Sequence, residues 1–183
     1  MTMTMITSVA ITREKERGTM ENLLAMPLKP IEMMIGKISP YVLIGYVQAC
    51  VVLAAAEFAF DIPIVGSLLV LFAGVTIYIV VNLMIGFLFS SIADTQMQAL
   101  QMTFFLLMPQ ILLSGFLFPF LGMPRWAQII GEMLPATHFM RIMRGVMLKG
   151  ADMSDLFSSF WTLGLMMLVV GTVAMIRFKR TLD

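Results

Sequence analysis

From Ile64 to Ser90 the chain runs without one charged residue. A stretch so long and so apolar belongs either in the centre of a large soluble core or in the hydrocarbon of a bilayer. Three further runs repeat the pattern, roughly Ile38 to Phe60, Met97 to Phe118 and Phe157 to Ile176. Composition decides between the two settings. Hydrophobic residues make up 60% of the chain and charged residues 13%, with a mean hydropathy of +0.94. Soluble domains hold about 45–50% apolar and about 25% charged residues, and a soluble chain of 183 residues leaves too much of its surface in water to hide this excess. The solvent is lipid. Backbone groups there must bond within their own segment or within a closed barrel, and barrel strands would read as short alternating segments. The expected fold class is therefore an all-α membrane protein with about four full transmembrane helices.

The same counts exclude other classes. Net charge is +1, which gives no basic field, so no nucleic-acid partner is expected. Cys50 is the single cysteine, which rules out an internal disulfide and a cysteine zinc cluster; within its apolar run it reads as a small buried hydrophobe. His138 is the single histidine and has no zinc-type partner nearby in sequence, so no metal site is expected. No GxxxxGK[ST] motif occurs, so no nucleotide is bound directly. No catalytic cluster of acids, histidine or cysteine is visible at membrane depth, and no catalytic residue is assigned.

Spans alternate sides, so residues 13–37, residues 91–96 and the C-terminal tail share one face. That face carries Arg13, Lys15, Arg17, Lys29, Lys37, Arg177, Lys179 and Arg180, against Arg125, Arg141, Arg144 and Lys149 on the other. The positive-inside rule puts the first set in the cytoplasm. The outer loop, 119–156, is long and internally patterned. Trp126, Ile129, Ile130 and Met133 recur at helical spacing, as do Phe139, Ile142, Met143, Val146 and Met147. Pro124 suits the start of the first helix and Pro135 its end; Thr137 suits the cap of the second and Gly150 its stop. Neither is long enough to span. Both read as half-helices dipping into the outer leaflet, with Trp126 at the interface.

Against this apolar background, "ITREKERGTMENLLAMPLKP" (residues 11–30) gathers Arg13, Glu14, Lys15, Glu16, Arg17 and Glu21 into one segment. Met20, Leu23 and Leu24 mark a short helix that Thr19 caps and Pro27 stops, lying flat on the membrane. Ile31, Met34, Ile35 and Ile38 repeat the interfacial pattern before the span begins after Pro40. Two readings stand: a charged flank that stops a helix from sliding, or a docking surface for another protein. The opening "MTMTMITSVAIT" lacks a positive n-region and a cleavage site and is too short to span. It is either a membrane-surface lead-in or the tail of a spanning helix.

Polar residues inside the spans each have a structural and a functional reading. Glu57 lies near a helix end, where reaching the interface costs little. Asn82, Thr76, Gln48, Gln101 and Gln110 either line a path or bond between helices, the second being commoner. Arg141 and Arg144 either guide an anion or form a solvated face. Gly45, Gly74 and Gly86 suit helix contacts. The 20 methionines suit adaptable ligand-binding surfaces and ordinary lipid-facing packing equally.

The segment "TREKERGTMENLLAMPLKPIEMMIGKISPY" resembles the link between the second and third spans of ABC-2 type exporter permeases. The resemblance continues through "LLSGFLFPFLGMPRWAQIIGEMLPATHFMRIMRGVMLKG", which is similar to that family's extracellular re-entrant helices, and covers about residue 5 to the C-terminus, the family's C-terminal half. It implies a division into residues 1–12, remaining from a transmembrane helix, 13–37, a cytoplasmic connector with coupling and interfacial helices, and 38–183, the transmembrane domain with loop 119–156. It implies that Arg13, Glu14, Glu16, Arg17, Gly18, Thr19 and Glu21 sit at the contact with a cytoplasmic ABC ATPase, Gly18 letting the connector bend. Pro119, Trp126, Pro135, His138, Arg141, Arg144 and Gly145 belong to the re-entrant loop on the same ground. The implied function is the permease subunit of an ATP-driven exporter in the cell inner (cytoplasmic) membrane, moving a hydrophobic or amphipathic, drug-like substrate outward. ATP and magnesium would be held by the separate ATPase, and a second permease subunit and membrane lipids complete the partners. On this resemblance the chain is expected to be a fragment or a naturally short form. The alternative is a secondary transporter or channel, which would show buried charges in paired broken helices.

Overall fold

The computed structural model describes residues 2–10, 12–18, 30–62 and 65–182. Among them the chain is helical throughout, with turns between helices and no strand. The helices are α1 (Thr2–Ser8), α2 (Thr12–Glu16), α3 (Pro30–Phe60), α4 (Leu68–Ile92), α5 (Gln96–Leu113), α6 (Arg125–Glu132), α7 (Pro135–Lys149) and α8 (Phe157–Leu182), with a 3-10 turn at Phe120–Gly122.

Among the described residues three segments are long and apolar enough to cross a membrane, Ile35–Phe60, Leu68–Ile92 and Phe157–Arg177. The run expected from Met97 to Phe118 is shorter. It forms the 18-residue α5, ending at Leu113, about 27 Å long against a hydrocarbon core of about 30 Å. A second difference lies at Pro40, after which the span was expected to begin, following an interfacial stretch. Pro40 sits inside one continuous 31-residue α3, about 46 Å long, so α3 is longer than the hydrocarbon is thick. The lost backbone hydrogen bond at a proline is tolerated in such helices when neighbouring groups re-satisfy the carbonyl. Asp61, in the left-handed region at φ 49, ends α3, and its neighbour's N–H (Ile62) bonds to the Ala56 carbonyl at 3.1 Å.

The described residues form two compact units. One comprises Met1–Leu43, Val80–Leu107 and Met167–Asp183; the other comprises Ile44–Ile79 and Met108–Met166. The second unit has an apolar core of Leu53 from α3, Val70 and Leu71 from α4, Ile142, Val146 and Met147 from α7, Leu156, and Phe160 and Leu163 from α8. The three glycines expected at helix contacts are all there. A Cβ on Gly45 would meet Ile79 at 2.9 Å, one on Gly74 would meet Ile142 at 2.8 Å, and one on Gly86 would meet the Thr4 carbonyl at 2.6 Å. Most of α3 faces outward: only 6% of its apolar window is buried. Cys50, expected to be buried, is exposed on this helix for that reason.

Candidate functional site

The first two helices, α1 and α2, called the connector from here on although the resemblance begins it at residue 13, are built on a polar seam. In α1 the residues Thr4, Thr7 and Ser8 are buried, and Thr12 at the start of α2 is fully buried too. The Thr4 hydroxyl donates to Asn82 Oδ1 at 3.0 Å. One helical stretch later the Thr12 backbone N–H donates to Ser90 Oγ at 3.1 Å. Both bonds join residues 78 positions apart. The connector therefore runs parallel to the C-terminal part of α4 in a fixed register. Thr4, Ser8 and Thr12 are spaced four apart, and so are Asn82, Gly86 and Ser90, so each set forms one stripe on its helix. Gly86 admits the close approach, since a Cβ there would strike the Thr4 carbonyl and lie 2.9 Å from Thr7 Cβ. Small and polar residues supply helix contacts of this kind in lipid, where burial of apolar surface gives no drive between helices.

The seam ends in a clamp. Glu16 Oε1 accepts the backbone N–H of Gln96 at 2.7 Å, and its other carboxylate oxygen accepts from the Gln96 side-chain amide. Gln96 is the first residue of α5, so a carboxylate takes up an orphan donor where the helix dipole favours negative charge. These two bonds, the backbone one first, hold the Glu16 carboxyl below the usual glutamate range, against a weaker opposing effect of burial. Thr95 completes the start of α5 by accepting the Gln98 N–H at 3.2 Å while Gln98 Oε1 accepts the Asp94 N–H at 2.9 Å, a variant of the capping box. Arg13 and Arg17 remain exposed. Gly18 follows in the left-handed region at φ +68, where a side chain would be strained. Lys37 of α3 stands 3.9 Å from Glu14.

Loop 119–156, expected on the outer side, is anchored differently. The Pro124 carbonyl accepts the N–H groups of Ala127 and Gln128 at the start of α6. α6 stops at Glu132, and Pro135 opens α7 rather than ending α6; proline suits a first helical position because its missing N–H has no partner there. The cap residue is Leu134, and Thr137 lies inside the helix, its hydroxyl donating to the Gly131 carbonyl at 2.6 Å. Gly150 ends α7 in the left-handed region. The last carbonyls of α7 are met by the α3–α4 link: Val65 and Gly66 N–H donate to Met147 and Val146 O at 3.2 and 3.0 Å. Phe139 stacks on Tyr78 with ring centroids 4.2 Å apart. Within α7 and its neighbours, Arg141 donates to both carboxylate oxygens of Glu132, one at 3.0 Å, and its guanidinium lies 4.8 Å from the centre of the Phe120 ring. His138, 3% exposed, donates from Nε2 to the Glu132 carbonyl at 2.9 Å. The Arg141 hydrogen bond above all keeps the Glu132 carboxyl below the usual range, with partial burial opposing it.

Comparison with known proteins gives this geometry its setting. A family model described as "ABC-2 family transporter protein" matches residues 1–176. The chain belongs to the ABC-2 transporter family. It is 36% identical over 175 residues to the probable multidrug ABC transporter permease YbhR of Escherichia coli (strain K12), covering 96% of this chain and 48% of that protein. It is 30% identical over 178 residues to the inner membrane transport permease YhhJ of the same strain, with 97% and 48% covered. A more distant relative, ABC transporter G family member 20 of Dictyostelium discoideum, is 29% identical over 148 residues, with 81% and 20% covered. This ABC-2 chain spans about half the length of the first two relatives. No solved structure matches it.

In this ABC-2 protein the expected site residues fall into two groups. Arg13, Glu14, Glu16, Arg17 and Gly18 lie together on and just after α2, whereas Thr19 and Glu21, with the rest of the expected coupling helix, lie outside the described residues. Of the loop set, Pro135, His138 and Gly145 are buried, Arg141 is half-buried, and Trp126 and Arg144 are exposed; Pro119 precedes the 3-10 turn. Sequence reading missed the seam residues Thr4, Thr12, Ser90 and Gln96. Two stripes of small polar residues four apart were the available signal. Thr76 and Asn82 bond between helices, Thr76 through Tyr46 at 2.5 Å, while Glu57, Gln48 and Gln101 are exposed.

Proposed function

We propose that the chain is the membrane-spanning permease part of an ATP-driven exporter that carries a hydrophobic or amphipathic, drug-like substrate out of the cytoplasm together with a separate ABC ATPase. The observation that carries this reading is the clamped connector. An exposed charged segment with Arg13 and Arg17 is tied by Thr4, Thr12 and Glu16 to α4 and to the first residue of α5. A force applied at the exposed residues reaches two further helices through short directional bonds rather than through a slack loop. Family membership and relatives named as permeases support the assignment, and those names carry no hydrolytic role, so ATP and magnesium are assigned to the partner.

On this proposal the connector lies on the cytoplasmic side of the cell inner membrane and residues 119–156 lie on the outer side. The buried half-helix α7 then shapes the exit of the path. The outward apolar face of α3 (Leu43, Val47 and Val51, each more than half exposed) meets lipid or a second permease subunit, homo- or heterodimeric. Glu16 acts through α5 and not on the ATPase, while Arg17, Thr19 and Glu21 form the contact. The test is co-purification of a candidate ABC ATPase with the wild-type chain and with Arg17→Glu plus Glu21→Arg. Retention by wild type and loss by the charge-reversed variant is expected; equal retention by both would remove the connector as the contact.

A further inference from the structure

Where the connector meets the start of α3, the structure forms a cleft of about 550 Å³ whose lining includes Val9, Arg13, Glu14, Lys37, Pro40 and Tyr41. Its most informative group is Lys37. The Nζ atom is buried and makes no hydrogen bond, and among the described residues the carboxylate paired with it, Glu14, stands at 3.9 Å, outside hydrogen-bond reach. An ammonium has three donors, and a buried charge without acceptors is strongly disfavoured. The position adds a second observation. Lys37, Pro40 and Tyr41 lie on the opening turns of the apolar segment that begins at Ile35, the level at which tyrosine and lysine meet lipid headgroups.

We propose that this cleft binds the headgroup of a monoanionic phosphodiester amphiphile. Lys37 and Arg13 donate to the phosphodiester oxygens, charge-assisted bonds of the strongest class. Val9 and Pro40 take the first methylenes of the glycerol or alkyl chain. Glu14 sets the selectivity. With two cations and one carboxylate the named lining carries one net positive charge, which matches a phosphodiester and penalises a dianion such as inorganic phosphate or a phosphomonoester. The site does not depend on the ATPase partner. Its ligand has two chemical sources, a resident anionic phospholipid or a passing amphiphile of the same headgroup chemistry.

The test titrates the purified chain in neutral detergent with short-chain phosphatidylglycerol and, in parallel, short-chain phosphatidylcholine, for wild type, Arg13→Gln plus Lys37→Gln, and Lys37→Arg. Wild type is expected to prefer phosphatidylglycerol by about tenfold or more, as one charge-assisted bond implies. The double variant is expected to lose that preference and Lys37→Arg to keep most of it. Should the double variant lose its helical circular dichroism, Arg13→Gln alone, at an exposed side chain, gives the same reading with a smaller loss. Phosphatidylglycerol that survives purification in wild type but not in the variants marks a resident lipid; reversible binding with none retained marks a site filled by passing amphiphiles. No preference in wild type, or an unchanged preference in a folded variant, overturns the proposal.

Discussion

In the unit that holds loop 119–156, the fully buried side chains include Ile142, Val146 and Leu163; in the unit that holds the connector, the seam buries Thr7, Ser8 and Thr12 just as completely. The first arrangement is apolar packing, which is dense and non-directional and accepts volume-conserving swaps. The second is a row of hydrogen bonds and close backbone contacts, which fixes register and tolerates little. The difference fits the two tasks of the proposed function: a loop that shapes a path would need a firm support, and a connector that passes on a push would need defined bonds at defined residues.

Breaking the apolar side should give the largest effect. Ile142→Ala removes a fully buried side chain from the middle of its core and is expected to cost about 2–5 kcal/mol, read as a lower thermal midpoint in detergent. Gly86→Ala comes next. Its Cβ collides with the Thr4 backbone, which cannot swing away as a side-chain tip would, so a loss of about 1–3 kcal/mol is expected. Faster deuterium exchange should then be confined to the connector and α4. Uniform exchange across both units would mean that the seam is not a separate element.

How much of this contrast was legible in the sequence follows from its chemistry. The apolar runs and the three contact glycines were visible because length and lack of side chain are properties of single residues. The seam was not, since Thr4, Ser8 and Thr12 read as ordinary small polar residues until Asn82, Gly86 and Ser90 are placed opposite them, and that pairing spans 78 positions. Pro40 misled for a related reason: a proline marks a local boundary and so set the expected start of the span, yet here one helix runs through it. The start of α7 at Pro135 rather than near Thr137 shows proline acting as an opening residue, a role that local reading assigned to the threonine.

Smaller effects sharpen the comparison. Arg141→Ala removes the partner of Glu132, but both side chains are about two-fifths exposed, so solvent screening limits the loss to about 0.2–1 kcal/mol, measurable as a small shift of the thermal midpoint. Thr4→Val deletes one hydrogen bond of the seam, worth about 0.6 kcal/mol in a membrane setting, and its effect should add to that of Ile142→Ala because the two lie in different units. The Glu16 clamp gives a pH signature. Its folded-state carboxyl titrates below the usual glutamate range, so the contribution is complete above the unfolded value, about 4.3, and is lost as pH falls through the lower folded value. Exchange at the first turn of α5 is expected to rise in that acid window in wild type and to be raised already at pH 7 in Glu16→Gln.

The most direct test of the proposed division of labour at the end of α2 is the affinity of a candidate ATPase for Glu16→Gln and for Arg17→Glu, titrated side by side with wild type. Glu16 serves the chain's own α5 and Arg17 the proposed partner, so binding within about threefold of wild type is expected for Glu16→Gln and a loss of about tenfold or more for Arg17→Glu, the scale of one charge-assisted contact. Equal losses in both variants, or a loss in Glu16→Gln alone, would contradict that division.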